Sequence, residues 1–329
     1  MPVEVYDFGV GWIDEDEDHF FLDALRRECE ARGLRFYKVD ESSIDRVVEL
    51  LRNGRLKLHF YLDLASESES LNHPFTRFAY LLKDFGTRVV ADTDQVRFSA
   101  DKSITHFNLV KAGIPVPYTV VIRNWDPSRR LTIEEKESLG LPVVIKPAGG
   151  YAQRGVRILQ EKPSLQEIAE ARSFNPGDHF LMQEFVEPLI LEDTPAWFRI
   201  FYLFGELFPC WWNPETGVYS QVKLREFEKH RLMPVIGIAA DIADVVRIEW
   251  FSCEIALSSR SKRFVVIDYM NDQCDVSSQS FRPAGVPDDL LLLVARRMAE
   301  KAWQWVRRSV RLHNRAIWLS RVHVRTEEV

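Results

Sequence analysis

The stretch Pro142-Val143-Val144-Ile145-Lys146-Pro147-Ala148-Gly149-Gly150-Tyr151-Ala152-Gln153-Arg154-Gly155-Val156 decides how this chain is read. Its first part, Leu141–Lys146, is an apolar run of the buried-strand type that ends on a lysine. An unpaired ammonium at the end of a buried strand is costly. The glycines behind it let backbone N–H groups wrap around an anion. Lysine and loop together suit phosphate oxygens. A β-hairpin with a glycine turn and an edge lysine is the other reading of the same residues.

Towards the N-terminus, Val116-Pro117 closes a segment that opens on Asp101-Lys102. Asp101–Ala112 reads as a helix stopped by Gly113 and the Pro115/Pro117 pair, and Tyr118–Ile122 as a strand. A lysine at a helix start opposes the helix dipole, so Lys102 is either an ordinary surface lysine or faces an anion. Before it, strands at Val3–Phe8, Leu34–Val39, Leu56–Leu62 and Arg88–Val90 alternate with helices at His19–Arg32, Ser43–Arg52 and Pro74–Lys83. That order predicts a small α/β domain with a parallel sheet over residues 1–95. Gly9-Val10-Gly11 is expected as a turn after the first strand. The acidic run Asp14–Asp18 is expected as a solvated helix start.

Towards the C-terminus, Val156–Leu159 and Phe180–Phe185 read as strands, with a helix near Leu165–Arg172. The second strand ends in Gln183-Glu184-Phe185-Val186-Glu187, a polar end that can offer backbone groups to a base edge and a carboxylate to ribose. Phe198–Phe208 reads as a hairpin turning at Gly205-Glu206. It carries Arg199 between apolar residues, where a guanidinium usually pairs with carboxylate or phosphate. Val245–Leu257 and Arg263–Tyr269 read as strands bearing Glu254, Asp268 and Asn271, oxygen ligands of the kind Mg²⁺ prefers. Asp288–Arg307 reads as a helix. The basic segment 313–329 is either a docking arm or a solvated terminus.

Taken in order, these motifs resemble the ATP-grasp superfamily. The likeness is to its carboxylate–amine ligases, related to ribosomal S6 glutamate ligase and D-alanine–D-alanine ligase. It spans roughly Asp101 to Asp272: Asp-Lys before Gly-Ile-Pro-Val-Pro, Val-Ile-Lys-Pro with a glycine loop, Gln-Glu-Phe-Val, a strand arginine, then acid, acid and Asn. The resemblance implies an α/β (α+β) chain with a Rossmann-like pre-ATP-grasp domain followed by a two-subdomain ATP-grasp fold. The corresponding spans are 1–95, 96–187 and 188–312, with the basic tail at 313–329. It implies ATP and Mg²⁺ as cofactors, Mn²⁺ being an acceptable substitute. Lys102, Lys146 and the loop Gly149, Gly150, Gly155 would meet the phosphates. Gln183, Glu184, Phe185, Val186 and Glu187 would line the adenosine pocket. Arg199 and Lys223 would act on the transferring group, and Glu254, Asp268 and Asn271 would hold the metal. The family's Glu-x-Asn has its oxygens two apart, whereas Asp268 and Asn271 are three apart. Either a bulge brings them together, or Asp272 substitutes for one of them. The family's Asn-x-x-Pro-Gly is also missing.

The resemblance implies a ligase that joins a small-molecule carboxylate to an amine through an acyl phosphate. Two rivals stay open: a small-molecule kinase similar to the inositol phosphate kinases, whose last strand carries Asp-x-Asn, and a non-catalytic nucleotide-binding module. The kinase would need a basic pocket, and Lys223, Arg225, Lys229, His230 and Arg231 form the basic cluster nearest the site. The 329 residues carry a net charge of −6, which argues against nucleic acid or an anionic membrane as partner. No apolar run reaches the roughly 20 residues that span a bilayer. Four cysteines without metal spacing read as reduced thiols of a cytoplasmic protein, and no signal peptide is expected. A homodimer is the default for any self-association.

Overall fold

Alternating short apolar runs and amphipathic stretches in the first part of the chain form a parallel sheet. In the computed structural model the described residues are 2–13, 18–67, 70–123, 126, 128–149, 155–161, 165, 168 and 179–324, with backbone alone for 310–324. The sheet comprises β1 (Glu4–Gly11), β2 (Phe36–Val39), β3 (Leu56–Asp63) and β4 (Arg88–Val90), in the order β2-β1-β3-β4. Every pair in it is parallel. The connections are α1 (Phe20–Ala31), α2 (Ile44–Arg52) and α3 (Pro74–Asp84). Helix α1 buries Phe21, Leu22, Ala24, Leu25 and Cys29, one face at helical spacing.

Two expectations for this region are corrected. Gly9 and Gly11 lie inside β1 rather than in a turn after it. A Cβ on Gly9 would come within 2.6 Å of the Leu58 side chain, and one on Gly11 within 2.2 Å of the Tyr61 hydroxyl. Close packing against β3, not ligand approach, is what requires glycine there. Of the acidic run, 14–17 lie outside the described residues, and Asp18 is buried rather than solvated. Its Oδ1 accepts from Phe20 N at 3.0 Å, while Oδ2 accepts from Ser278 N at 2.6 Å and Ser278 Oγ at 3.0 Å. One carboxylate thus caps α1 and ties down a loop distant in sequence. Asp18→Ala is expected to lower stability by about 1–3 kcal/mol, because buried donors lose their partner. A urea melt with an unchanged midpoint would contradict this.

The next two helices, α4 (Thr93–Ala100) and α5 (Lys102–Lys111), are capped by Asp92 and Asp101, each accepting from backbone N–H groups of the first turn. The 95/96 boundary read from the sequence falls inside α4. An antiparallel sheet follows, order β5-β8-β6-β7. Its strands are β5 (Thr119–Ile122), β6 (Val143–Pro147), β7 (Arg157–Leu159) and β8 (Phe180–Glu184). Helix α6 (Ile133–Leu139) starts at a Thr132/Glu135 capping box. Val120, Ile122, Val143, Ile145, Phe180 and Met182 form the core under this sheet. Most of the helix expected near Leu165–Arg172 lies outside the described residues.

After the short hairpin of β9 (Ile190–Leu191) and β10 (Thr194–Pro195) comes a five-stranded antiparallel sheet, order β13-β12-β11-β14-β15. It contains β11 (Trp197–Leu203), β12 (Glu206–Trp212), β13 (Tyr219–Gln221), β14 (Trp250–Leu257) and β15 (Phe264–Asn271). Between β13 and β14 stand α7 (Leu224–His230) and α8 (Met233–Val246). The strand expected from Val245 therefore begins at Trp250. Val245 and Val246 finish α8, and Arg247 leaves it in the left-handed region at φ 56°. The last helix, α9 (Asp288–Val324), runs on past Arg307 and across position 313. Its Leu290, Leu291, Val294 and Met298 pack in one cluster with Phe8, Phe21 and Leu25, so the end of the chain completes the core of its beginning.

Candidate active site

The antiparallel sheet of β6 and β8 faces β15, and Lys146 bridges the two. It is the penultimate residue of β6, and its side chain is buried. Nζ donates to Ile267 O at 3.1 Å and lies 4.8 Å from the centre of the Tyr269 ring. Burial pulls the Lys146 pKa down to about 8; the Asp268 and Glu254 charges oppose this and Lys102 adds to it. An ammonium held this way gains by meeting an anion. Lys102 stands at the first position of α5, and its backbone N donates to Ala148 O at 2.9 Å. The helix start is thereby fastened to the segment following β6. Gly149 is part of that segment, Gly150 lies outside the described residues, and Gly155 closes the loop at φ 75°. A Cβ on Gly155 would stand 3.2 Å from the Pro147 ring, so the returning chain presses on the end of β6.

The segment 183–187 divides. Gln183 is buried, and its Nε2 donates to Thr119 Oγ1 at 2.9 Å and to Tyr269 OH at 2.6 Å. Its side chain is thus tied inward. Glu184 faces Arg260 at 3.7 Å, Val186 packs with Ala256 and Val265, and the exposed Glu187 accepts at its carbonyl from Ser259 N at 2.8 Å. Phe185 is half-buried between them.

Tyr269 OH also lies 2.7 Å from His106 Nδ1. Burial, with the Lys146 charge second, pulls the His106 pKa down to about 4, so the ring is neutral at pH 7. The unfolded chain binds a proton here below about pH 6.5 and the folded chain only near 4. Stability is therefore expected to fall as pH drops through that window. Chemical denaturation at intervals between the two values checks it; His106→Phe should flatten the slope, and an unchanged slope would remove His106 as its source.

Arg199 and Glu254 are cross-strand partners on β11 and β14. The guanidinium hydrogen-bonds Glu254 Oε1, donates to Tyr219 OH at 2.9 Å and lies over the Trp212 ring at 4.8 Å. Trp197 Nε1 donates to Glu254 Oε2 at 3.1 Å. Burial pushes the Glu254 carboxyl up; the guanidinium opposes it, and Asp268 adds to it. Arg199 Nε is buried without a hydrogen-bond partner, a donor that an anionic oxygen can take.

A bulge separates the two acidic-strand positions read from the sequence. Ser252 pairs with Asn271 and Glu254 with Asp268, and the register shifts between them. Between these pairs one residue of β14, Cys253, faces two of β15, Tyr269 and Met270, so one extra residue is absorbed. Asp268 and Asn271 thereby come opposite positions that share a face. Asp268 Oδ1 is buried and lacks a hydrogen-bond partner. Two carboxylates, one of them with an orphan oxygen, and one amide are the donor chemistry that Mg²⁺ prefers. Among the described residues no group of three or more His, Cys, Asp or Glu side chains gathers for a metal; Asn271, across from Ser252, offers an amide oxygen instead.

Lys223 heads α7 on the surface, its N donating to Glu226 Oε2 at 2.6 Å. In the basic cluster around it, Lys229 and His230 both pair with Glu192. Tyr269, His106, Trp197 and Tyr219 were missed from the sequence. For Tyr269 and Trp197 the only signal is their adjacency to the Asp268 and Arg199 motifs.

This geometry is that of the ATP-grasp fold. The Bacillus anthracis D-alanine–D-alanine ligase complexed with ATP superposes over 90% of this chain and 98% of its own, with a TM-score of 0.60 at 14% identity. A RimK domain protein of Sphaerobacter thermophilus matches over 89% and 98%, with a TM-score of 0.59 at 17% identity. In sequence, a D-alanine–D-alanine ligase of Mycobacterium sp. (strain KMS) is 42% identical over 72 residues, 22% of this chain and 19% of that protein. The chain spans less than a third of the length of the curated relatives it matches. No protein-family model matches it. Among the described residues no helix is long and apolar enough to cross a membrane.

Proposed function

We propose that the chain is an ATP-dependent carboxylate–amine ligase. The observation that carries the reading is the bulged β15, which sets Asp268 and Asn271 on one face beside the buried Lys146 and Arg199. Residues 1–95, 96–187 and 188–312 then serve as acceptor-side domain and the two nucleotide-clasping subdomains. Lys146 and Lys102 supply positive charge to nucleotide phosphates, beside Gly149 and Gly155. The backbone of Glu184 to Val186 edges the adenine, and Glu187 serves the ribose. Arg199, already charged and held by Glu254, stabilises charge on a transferring phosphoryl group. Asp268, Asn271 and Glu254 would hold Mg²⁺, which when bound offsets phosphate charge.

A substrate carboxylate takes the phosphoryl group, and an amine displaces phosphate to give an amide. Positioning and charge neutralisation carry such chemistry without a nucleophilic side chain. The pairing of Lys229 and His230 with Glu192 leaves the basic cluster less suited to a polyanionic kinase substrate. Four buried free cysteines suit a cytoplasmic setting, with small-molecule substrates and neither nucleic acid nor membrane as partner. Incubation with Mg-ATP and pools of amino acids tests the reading. ADP and free phosphate that appear only when carboxylate and amine are both present support it. A phosphorylated product without free phosphate would replace it with a kinase.

A further inference from the structure

Tyr269 sits in the bulge between Asp268 and Asn271, one of the two β15 residues that face Cys253. It is 1% exposed, and three further elements converge on it. His106 Nδ1 of α5 lies 2.7 Å from its hydroxyl oxygen, and Gln183 Nε2 of β8 donates to that oxygen at 2.6 Å. Lys146 of β6 holds its Nζ 4.8 Å from the ring centre. Lys102 stands one helical turn before His106, on the same face of α5. One aromatic side chain thus joins the elements that carry both lysines to the strand that carries Asp268 and Asn271.

The groups themselves fix the direction of these bonds. An amide N–H only donates, so the Tyr269 oxygen accepts from Gln183. The same amide nitrogen also donates to Thr119 Oγ1 at 2.9 Å, and the Thr119 hydroxyl donates onward to Pro117 O at 2.9 Å. The hydroxyl proton of Tyr269 is left for His106 Nδ1. Burial keeps the His106 ring neutral at pH 7, so Nδ1 is its bare nitrogen and Nε2 carries the hydrogen. Two bonds at one hydroxyl therefore set the angle of the ring, and its face meets the Lys146 ammonium, a contact that strengthens where water is excluded.

We propose that Tyr269 is a positioning residue for Lys146, its ring set by Gln183 and His106 so that the ammonium is held in place before nucleotide arrives. A charge fixed in advance needs no rearrangement when a phosphate meets it. The hold on Lys146 stands on these contacts; its benefit to nucleotide binding rests on the ligase reading.

Two measurements on the full chain test this. Carbon–proton NMR with lysine labelled at Cε reads the hold: the Tyr269 ring current displaces the Lys146 signal from the other lysines, and Lys146→Met identifies it by its loss. Calorimetric titration with Mg-ADP reads the benefit. Tyr269→Phe and His106→Leu should each return the Lys146 signal towards the other lysines and weaken Mg-ADP about tenfold. His106→Asn keeps an acceptor near the place of Nδ1 and should bring both readouts most of the way back. The near-isosteric Thr119→Val removes an anchor of Gln183 and should move both readouts less; it still tests the role should the other variants fail to fold. Folded variants with the parent's signal and affinity overturn the role. A displaced signal without loss of affinity does so too, as does His106→Asn as impaired as His106→Leu. If the signal responds as expected but the parent does not bind Mg-ADP, the hold on Lys146 stands and the ligase reading falls instead.

Discussion

Replacing Lys146 with methionine is expected to abolish stabilisation by Mg-ADP while leaving the ligand-free protein at least as stable as the parent. The two halves of this result come from one feature. Among the described residues buried Nζ has one hydrogen-bond acceptor, Ile267 O, with the Tyr269 ring beneath it. Removing a desolvated charge relieves a penalty rather than creating one. The same ammonium is the charge that phosphates would meet, and a charge-assisted hydrogen bond contributes about 1.5–3 kcal/mol. Its loss corresponds to roughly a tenfold to hundredfold fall in nucleotide affinity. Thermal melts with and without Mg-ADP read both halves; a retained shift would take Lys146 out of the site.

The pH dependence adds a second readout of the same lysine. Its pKa is about 8 in the folded chain, against 10.5 when unperturbed. Between these values the unfolded chain binds more protons, so this group makes stability rise with pH there. Phosphate oxygens favour the charged form, so nucleotide binding above about pH 8 should take up a proton. Calorimetry in buffers of different ionisation enthalpy measures that uptake, and Lys146→Met should remove it.

Arg199→Met is expected to lower stability by about 3–5 kcal/mol, the usual result of breaking a buried ion pair from one side. Glu254 is 7% exposed and, among the described residues, would keep Trp197 Nε1 as its remaining side-chain donor. The double replacement Arg199→Met/Glu254→Met removes both charges and is expected to recover most of that loss. On the ligase reading proposed above, ATP turnover should be absent in both, because the guanidinium would be the group that stabilises charge on the transferring phosphoryl. Arg199→Lys separates the roles further. It keeps a charge beside Glu254 but loses the planar fork that reaches Tyr219 and Glu254 together. Its stability should lie near the parent's and its turnover well below. Urea denaturation beside ADP release follows each variant, and an Arg199→Met protein as stable as the parent would sink the argument.

Local patterning made most of the first sheet and the order of the motifs legible. Helix α1 and strands β1 to β4 announce themselves because their apolar residues repeat at the period of the element. Helix α8 did not: Met233 to Val246 is apolar almost throughout, with Pro234 and Gly237 inside, and so lacks a polar face to set its period. Helices α4 and α6 show little periodicity, although Asp92 and the Thr132/Glu135 pair mark their starts. Short helices carry too few turns for periodicity to show.

Lys146 was legible from the sequence, because a lysine closing an apolar strand ahead of glycines needs no partner far along the chain to be noticed. Sequence alone determined the chain's ATP-grasp motif order and its strand-borne Lys146, Arg199 and Glu254. Tertiary structure alone decided which side chains share a face and which are spent on each other. The three-residue spacing of Asp268 and Asn271 becomes a matched pair only through a bulge against β14. The Gln183 side chain becomes a buried tie only because Tyr269 arrives from β15. Register and long-range pairing arise from contacts between residues far apart in the chain, and no local window of sequence contains both partners.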